Sequence, residues 1–367
     1  MRITRFTAFT AAITIALLTP GLAQAAPVPP GGSTEVTVES TDDVVPQAKP
    51  TVPNLSAIVK HYRLPTSSNP HFVTAASDGN VWFTVDGAFD PVTFNTPGSV
   101  ARVTPRGTIT EFAVCDTCLT NDIVQGPDGI LYVSDNDGQL RRITTSGEVL
   151  SSISPCGGFF CSPLDGLAAD STSIWFADFF NNRVGRFNVF AAPGENPFTF
   201  VDATGVGDVA VAPDGTVWFT GESAIGEIDP AVDPTVGVVS TTPISAEGRG
   251  ITVAPNGTVW VTEIFADLIA RLTPTASGPH DLVEFPTPVD ATPLDIDAAP
   301  DGNVWFTQNL RGNVARITLA GVVTEASKAI DFADPKRPDP IGITIAANGQ
   351  PWYSESLIDK VANVQLR

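Results

Sequence analysis

The chain has 367 residues, 43% hydrophobic and only 16% charged, so it can bury a large core. Its 40 Asp and Glu against 20 Lys and Arg give a formal net charge of −20 at pH 7. That sign argues against nucleic acid and anionic membrane as partners, because both surfaces are negative.

The first 25 residues read as a secretory signal. Arg2 and Arg5 make a basic start, Ala11 to Leu18 is a short apolar run, and Ala23-Gln24-Ala25 is a cleavage pattern. The run is too short to span a bilayer, and no later stretch is long and apolar enough. The mature chain is expected to be secreted or associated with the cell envelope. Residues 26–56 are rich in Pro, Thr, Ser, Val and acids and lack a period, which reads as a flexible linker.

Residues 57–367 carry a repeat. Asp78-Gly79-Asn80-Val81-Trp82-Phe83-Thr84 returns, with variation, at 128–134, 173–177, 214–220, 256–262, 301–307 and 348–354. The aromatic anchors are Trp82, Tyr132, Trp175, Trp218, Trp260, Trp305 and Trp352, spaced 42 to 50 residues apart. All six tryptophans of the chain are used. A period of about 40–45 residues with four short strands per unit is the mark of a β-propeller. The fold is therefore read as all-β, a seven-bladed propeller of four-stranded antiparallel blades. The chain ends on a stretch, 360–366, that matches a third strand, while Ala57 to Pro65 is a lone strand before the first blade. The N-terminal strand is thus expected to close the ring as the outer strand of the last blade, leaving no open sheet edge there.

Cys115, Cys118, Cys156 and Cys161 are the only cysteines. C-x2-C with C-x4-C fits a zinc site on spacing. Export favours two disulfides, pairing within each loop or between the two.

Comparing the copies with one another separates scaffold from site. Residues present in nearly every copy, namely the tryptophans, the turn glycines and the third-strand arginines Arg102, Arg142, Arg186, Arg271 and Arg316, serve the blade. In a hairpin the start of the first strand lies beside the end of the second. Two variable positions per blade therefore face one channel mouth. Before the first strand they include His71, Asn121-Asp122, Asp165, Asp208, Arg249 and Asp295. After the second they include Glu263, Gln308 and Glu355. Asp122, Asp208 and Asp295 recur in alternate blades. As a ring of carboxylates they would hold Mg²⁺ or Ca²⁺, or they would bond backbone amides at strand starts. Asn121, Asp165, Arg249, Glu263 and Gln308 are candidate ligand contacts. His71 is the one histidine placed at the mouth; His61 falls on the closing strand and His280 in a loop.

The repeat Pro-Asp-Gly-x-Val-Trp-Phe-Thr, followed by an Ile-x-Arg-Ile strand, resembles the streptogramin B lyase (virginiamycin B lyase) family from Ala57 to Arg367. That resemblance implies a seven-bladed propeller that opens a cyclic depsipeptide by elimination at its ester. It also implies a histidine base, a glutamate of the same blade and Mg²⁺, in the pattern Pro-His-Gly-Ile … Trp-Phe-Thr-Glu. Here Pro70-His71-Phe72-Val73 carries the histidine, but 14 residues on stands Val85. Glu263 and Glu355 end their strands as expected, with Arg249 and Ile341 in the histidine places. Since blades 1 and 7 adjoin in a closed ring, His71 and Glu355 are the expected catalytic pair. Two other functions are carried: a non-catalytic propeller binding a small molecule, peptide or glycan, and a metal-dependent lactonase or esterase of gluconolactonase-like type. The chain is expected to be a monomer. No G-x-S-x-G, Walker A or dinucleotide fingerprint occurs.

Overall fold

A computed structural model describes residues 52–65, 68–87, 97–156, 162–229, 240–276, 279–327 and 337–367. The expected signal, residues 26–51 of the expected linker, and Cys161 lie outside the described residues.

Each Asp-Gly or Asn-Gly turn joins the first strand of a blade to its second. In the first, Asp78 Oδ1 accepts the Asn80 N–H at 2.9 Å, and Gly79 sits at φ +80°, a conformation that favours glycine. The same carboxylate reaches the indole, Asp78 Oδ2 lying 3.4 Å from Trp82 Nε1. Asp128 and Tyr132 repeat the contact at 2.9 Å. The turn thus fixes the aromatic side chain as well as the backbone.

Seven antiparallel sheets result, six of four strands and one of three among the described residues. In the three-stranded second blade, Val149 and Ile153 make single bridges to Ile143 and Leu140 where a fourth strand would lie. The innermost strands are Ser68–Ala75, Thr120–Gln125, Leu167–Ala169, Val209–Val211, Gly248–Val253, Pro293–Ala298 and Ile343–Ile345. The second strands are Val81–Gly87, Leu131–Asp135, Ser173–Asp178, Val217–Thr220, Val259–Glu263, Val304–Gln308 and Pro351–Glu355.

The core lies between blades. Trp82 of blade 1 packs on Ile123, Leu131 and Val133 of blade 2, and Trp260 of blade 5 on Ile296 and Phe306 of blade 6. Trp352 of blade 7 packs on Val73, Phe83 and Ala101 of blade 1, joining the last blade to the first. Ala57–Arg63 lies antiparallel to Lys360–Leu366 as the outer strand of blade 7, and Tyr62 stacks on Trp352 at 5.4 Å. The chain is anchored earlier than the expected linker boundary: Leu55 N donates to Glu325 O, and Glu325 N to Pro53 O, on the outer strand of blade 6. The third-strand arginines act as scaffold. The Arg102 guanidinium lies over Trp82 and Phe112, and that of Arg271 over Trp260 and Phe285.

Candidate functional site

The mouth residues are aimed by β-bulges. Register shifts fall between Pro70 and Val73, Thr120 and Ile123, Gly248 and Ile251, and Pro293 and Ile296. Each bulge sets two residues of the inner strand against one of the second strand and re-aims their side chains. The bulged pairs are His71-Phe72, Asn121-Asp122, Arg249-Gly250 and Leu294-Asp295.

The threonine of Trp-Phe-Thr stands opposite the bulge and explains its own recurrence. Thr84, Thr262 and Thr307 accept the amide N–H of Phe72, Gly250 and Asp295 at 2.8 to 3.0 Å. Their hydroxyls then donate to a carbonyl at the start of the next blade's inner strand: Asn121 O, Leu294 O and Ile341 O. One side chain satisfies a bulged amide and links two blades.

The aspartates in alternate blades do related work. Asp122 takes the Ile123 and Leu167 N–H groups, one on each oxygen, both at 2.7 Å. Asp208 does the same for Val209 and Ile251, and Asp295 for Ile296 and Ile343. They tie blade 2 to 3, 4 to 5, and 6 to 7. At the intervening junctions the backbones come close. A Cβ on Gly250 would meet Leu294 O at 2.7 Å, and one on Gly342 would meet His71 O at 2.6 Å.

Burial pushes the Asp122 carboxyl up to about 7 and Asp295 to about 8. Asp208 is raised by burial, then by the charges of Asp122 and Asp295. These three side chains therefore act on one another near the axis, but as staples whose oxygens are taken by amide donors. Among the described residues no group of three or more His, Cys, Asp and Glu is arranged to hold a metal ion. The donor set thus does not fit a protein-held Mg²⁺ or Ca²⁺ at these positions. Of the bonding alternatives open in the sequence, the amide one is the one seen.

Other mouth candidates divide in two. Asp165 and Arg249 join the axial group: burial raises the Asp165 carboxyl while the Arg249 charge lowers it, and Arg249 also acts on Asp122 and Glu247. Asn121 donates from Nδ2 to Leu164 O at 2.7 Å. The residues ending the second strands do not converge with these. Gln308 bonds Asn313 and Glu325. Glu263 accepts the Ala246 N–H, and burial followed by the neighbouring Glu284 charge lifts it to about 7. Such residues hold their own blade's edge.

His71 and Glu355 have separate partners. Glu355 is fully buried, and its Oε2 meets His61 Nδ1 at 2.8 Å. His71 Nε2 instead faces Asp86 Oδ2 at 3.7 Å. Burial lowers the His71 pKa, with the Asp86 charge opposing, and burial raises that of Asp86. Asp86 Oδ1 accepts both the amide and the hydroxyl of Thr120, at 2.9 and 3.1 Å. Asp86 was missed at the sequence level because it lies 15 residues after His71, not 14. The second strand of blade 1 continues past Thr84 to Gly87, and its period of two puts Asp86 rather than Val85 on the facing side. His280, at the outer edge, bonds Glu227 and Ser240 through Nε2 and takes the Thr275 N–H on Nδ1. With Nδ1 accepting, Nε2 carries the proton and cannot activate Ser240.

Near-neighbour comparisons agree with this architecture. A virginiamycin B lyase variant from Staphylococcus aureus, catalytically inactive and solved with quinupristin, superposes with a TM-score of 0.69 at 22% identity, covering 85% of this chain and 100% of that one. The WD40 propeller domain of Doa1 superposes at 0.63 with 11% identity, covering 86% and 97%. At these identities the likeness is one of fold. The virginiamycin B lyase of Nocardia farcinica is 32% identical over 153 residues, 41% of this chain and 50% of that protein, so the match spans half of that relative. A family model described as the virginiamycin B lyase family matches residues 53–233 and 198–367. The repeat that builds the blades runs through both matched segments, and the chain belongs to the virginiamycin B lyase family.

Proposed function

We propose that the protein is an exported carbon–oxygen lyase that opens cyclic esters of depsipeptide type, with His71 as base. The observation that carries this is a bulge-borne imidazole, kept neutral by burial, beside the buried Asp86 carboxylate in one blade. A neutral imidazole can take the proton from the carbon that lies between an amide carbonyl and the carbon bearing the ester oxygen. The electron pair of that C–H bond forms the double bond as the neighbouring C–O bond breaks, and the ester leaves as a carboxylate. Asp86 steadies the resulting imidazolium and Thr120 holds Asp86. About one-tenth of the His71 side chain remains open to solvent (11%), which gives the proton a way out. No step is assigned to a protein-held metal.

Incubation with a streptogramin B-type depsipeptide tests this by mass. A linear product of unchanged mass is expected, lost in His71→Ala and reduced in Asp86→Asn. Absence of that product sinks the reading, and gain of one water points to the lactonase or esterase alternative. A non-catalytic binding propeller is favoured by a different feature. Phe180, Phe265 and Leu357 stand exposed on the turns after the second strands of blades 3, 5 and 7. Depsipeptide that binds but is recovered intact decides for that alternative.

Export is part of the proposal, supported by residues 1–25. N-terminal sequencing of protein from the medium should begin after Ala25. No helix among the described residues is long and apolar enough to cross a membrane.

A further inference from the structure

Asp86 is held by groups outside its own hairpin. In register, Asp86 lies across from Gly98, and Gly98 across from Cys115 at the end of the outer strand Ile109–Cys115. From Cys115 the chain turns back toward the axis through Asp116, Thr117 and Cys118. It then enters the inner strand of blade 2 at Thr120, whose amide and hydroxyl both bond Asp86. The Cys115 and Cys118 Cα atoms are 5.9 Å apart, within bridging distance, and Cys118 is fully buried. Packing there is close: a Cβ on Gly98 would meet Cys118 O at 2.8 Å, Cys115 Sγ at 2.9 Å and Thr120 Cγ2 at 2.9 Å. Leu119 is fixed by its N–H to Asn136 Oδ1 at 2.8 Å. The path from outer strand to axis is therefore a short, tied turn.

We propose that a Cys115–Cys118 disulfide is a positioning element for the His71–Asp86 pair, acting through Thr120. The bridge shortens the turn so that the Thr120 N–H and O–H both meet Asp86 Oδ1, which leaves Oδ2 for His71. The proposal rests on His71 and Asp86 as the reacting pair for its catalytic meaning. Its physical content is independent of any substrate.

The test uses the full chain and its three histidines. Histidine-labelled wild type, Cys115→Ser/Cys118→Ser and Thr120→Val are titrated by NMR, and diethylpyrocarbonate modification of each histidine is followed by mass. Local opening of the turn should raise the His71 modification rate about tenfold in the double variant. His71 should also titrate nearer to an ordinary histidine, with His280 unchanged as internal control. Thr120→Val, which keeps the bridge but removes the hydroxyl that favours the ionised Asp86, should instead move the His71 titration further below that of an ordinary histidine. If the double variant does not fold, the same two readouts on folded wild type before and after reduction with dithiothreitol take its place. His71 behaving as in wild type in every variant that folds overturns the proposal. In turnover, bridge loss should lower kcat with KM little changed. An inactive wild type would defeat the lyase reading while leaving the His71 shifts to decide this one.

Discussion

Asp295 places one carboxylate between two blades, with Ile296 N–H on one oxygen and Ile343 N–H on the other. Replacing it with Asn leaves one acceptor and turns an N–H₂ toward an N–H. The lost bond and the unsatisfied donor should cost about 1–3 kcal/mol. The loss should depend on pH. The folded-state pKa is raised to about 8, so the stabilisation from binding a proton is full below the unfolded carboxylate range and fades as pH rises through 8. Denaturant titration should therefore show a larger deficit for Asp295→Asn at pH 5 than at pH 8.5. An equal deficit would mean that the carboxyl is ionised throughout. The residue scale is also where the sequence was least legible. The alternation of Asp122, Asp208 and Asp295 was visible, but a carboxylate before a strand looks the same whether it meets a cation or an amide. Asp86 was hidden because fourteen and fifteen residues differ only by which face of the strand they occupy. That depended on where the strand of blade 1 ends.

At the scale of the strand, the recurring threonine is a joint. Thr262 accepts the Gly250 amide and donates to Leu294 O, and it is fully buried. Thr262→Val keeps the shape, but strands one buried donor and one buried acceptor on different blades. A loss of about 1–3 kcal/mol is expected, read as a lower denaturation midpoint with an unchanged slope. A change of only a few tenths would show that water takes over both groups. Blade 3 carries Ala177 at this place and joins blade 4 by backbone, with Gly166 N donating to Gly207 O at 3.3 Å. The Trp-Phe-Thr motif revealed the blade count and the tryptophan packing because both follow from one repeat read alone. The threonine's second bond needs the neighbouring blade in place, so no single repeat contains it.

For the whole ring, two kinds of junction alternate: aspartate staples at 2/3, 4/5 and 6/7, and close backbones at 3/4, 5/6 and 7/1. Seven is odd, so strict alternation must break at one junction. It falls between blades 1 and 2, where His71-Phe72 replaces both Asp and Gly and Asp86 reaches Thr120. The site of lowest symmetry is thus where the candidate chemistry lies. Since the axial aspartates are filled by amides, EDTA should leave the melting temperature unchanged; a drop would restore the metal reading.

Buried carboxyls, at the axis and at the ends of the second strands, set the pH response of the fold. Burial raises Asp122 and Glu263 to about 7, Asp295 to about 8, and Asp135, Asp297 and Asp339 to about 6. Each binds a proton in the folded state at a pH where the unfolded chain has lost it. Their contribution is present below the unfolded carboxylate range and is lost as pH rises through 6 to 8. His71 acts oppositely. Its lowered pKa keeps it neutral in the fold, so below the ordinary histidine range the unfolded state binds the extra proton and stability falls. One histidine is set against several carboxyls, so the carboxyls should prevail above pH 5. The melting temperature should be higher at pH 5.5 than at pH 8.5, by calorimetry at constant ionic strength. A melting temperature that rises toward pH 8.5 would mean that the axial carboxylates are ionised and balanced by a bound cation, against the staple assignment.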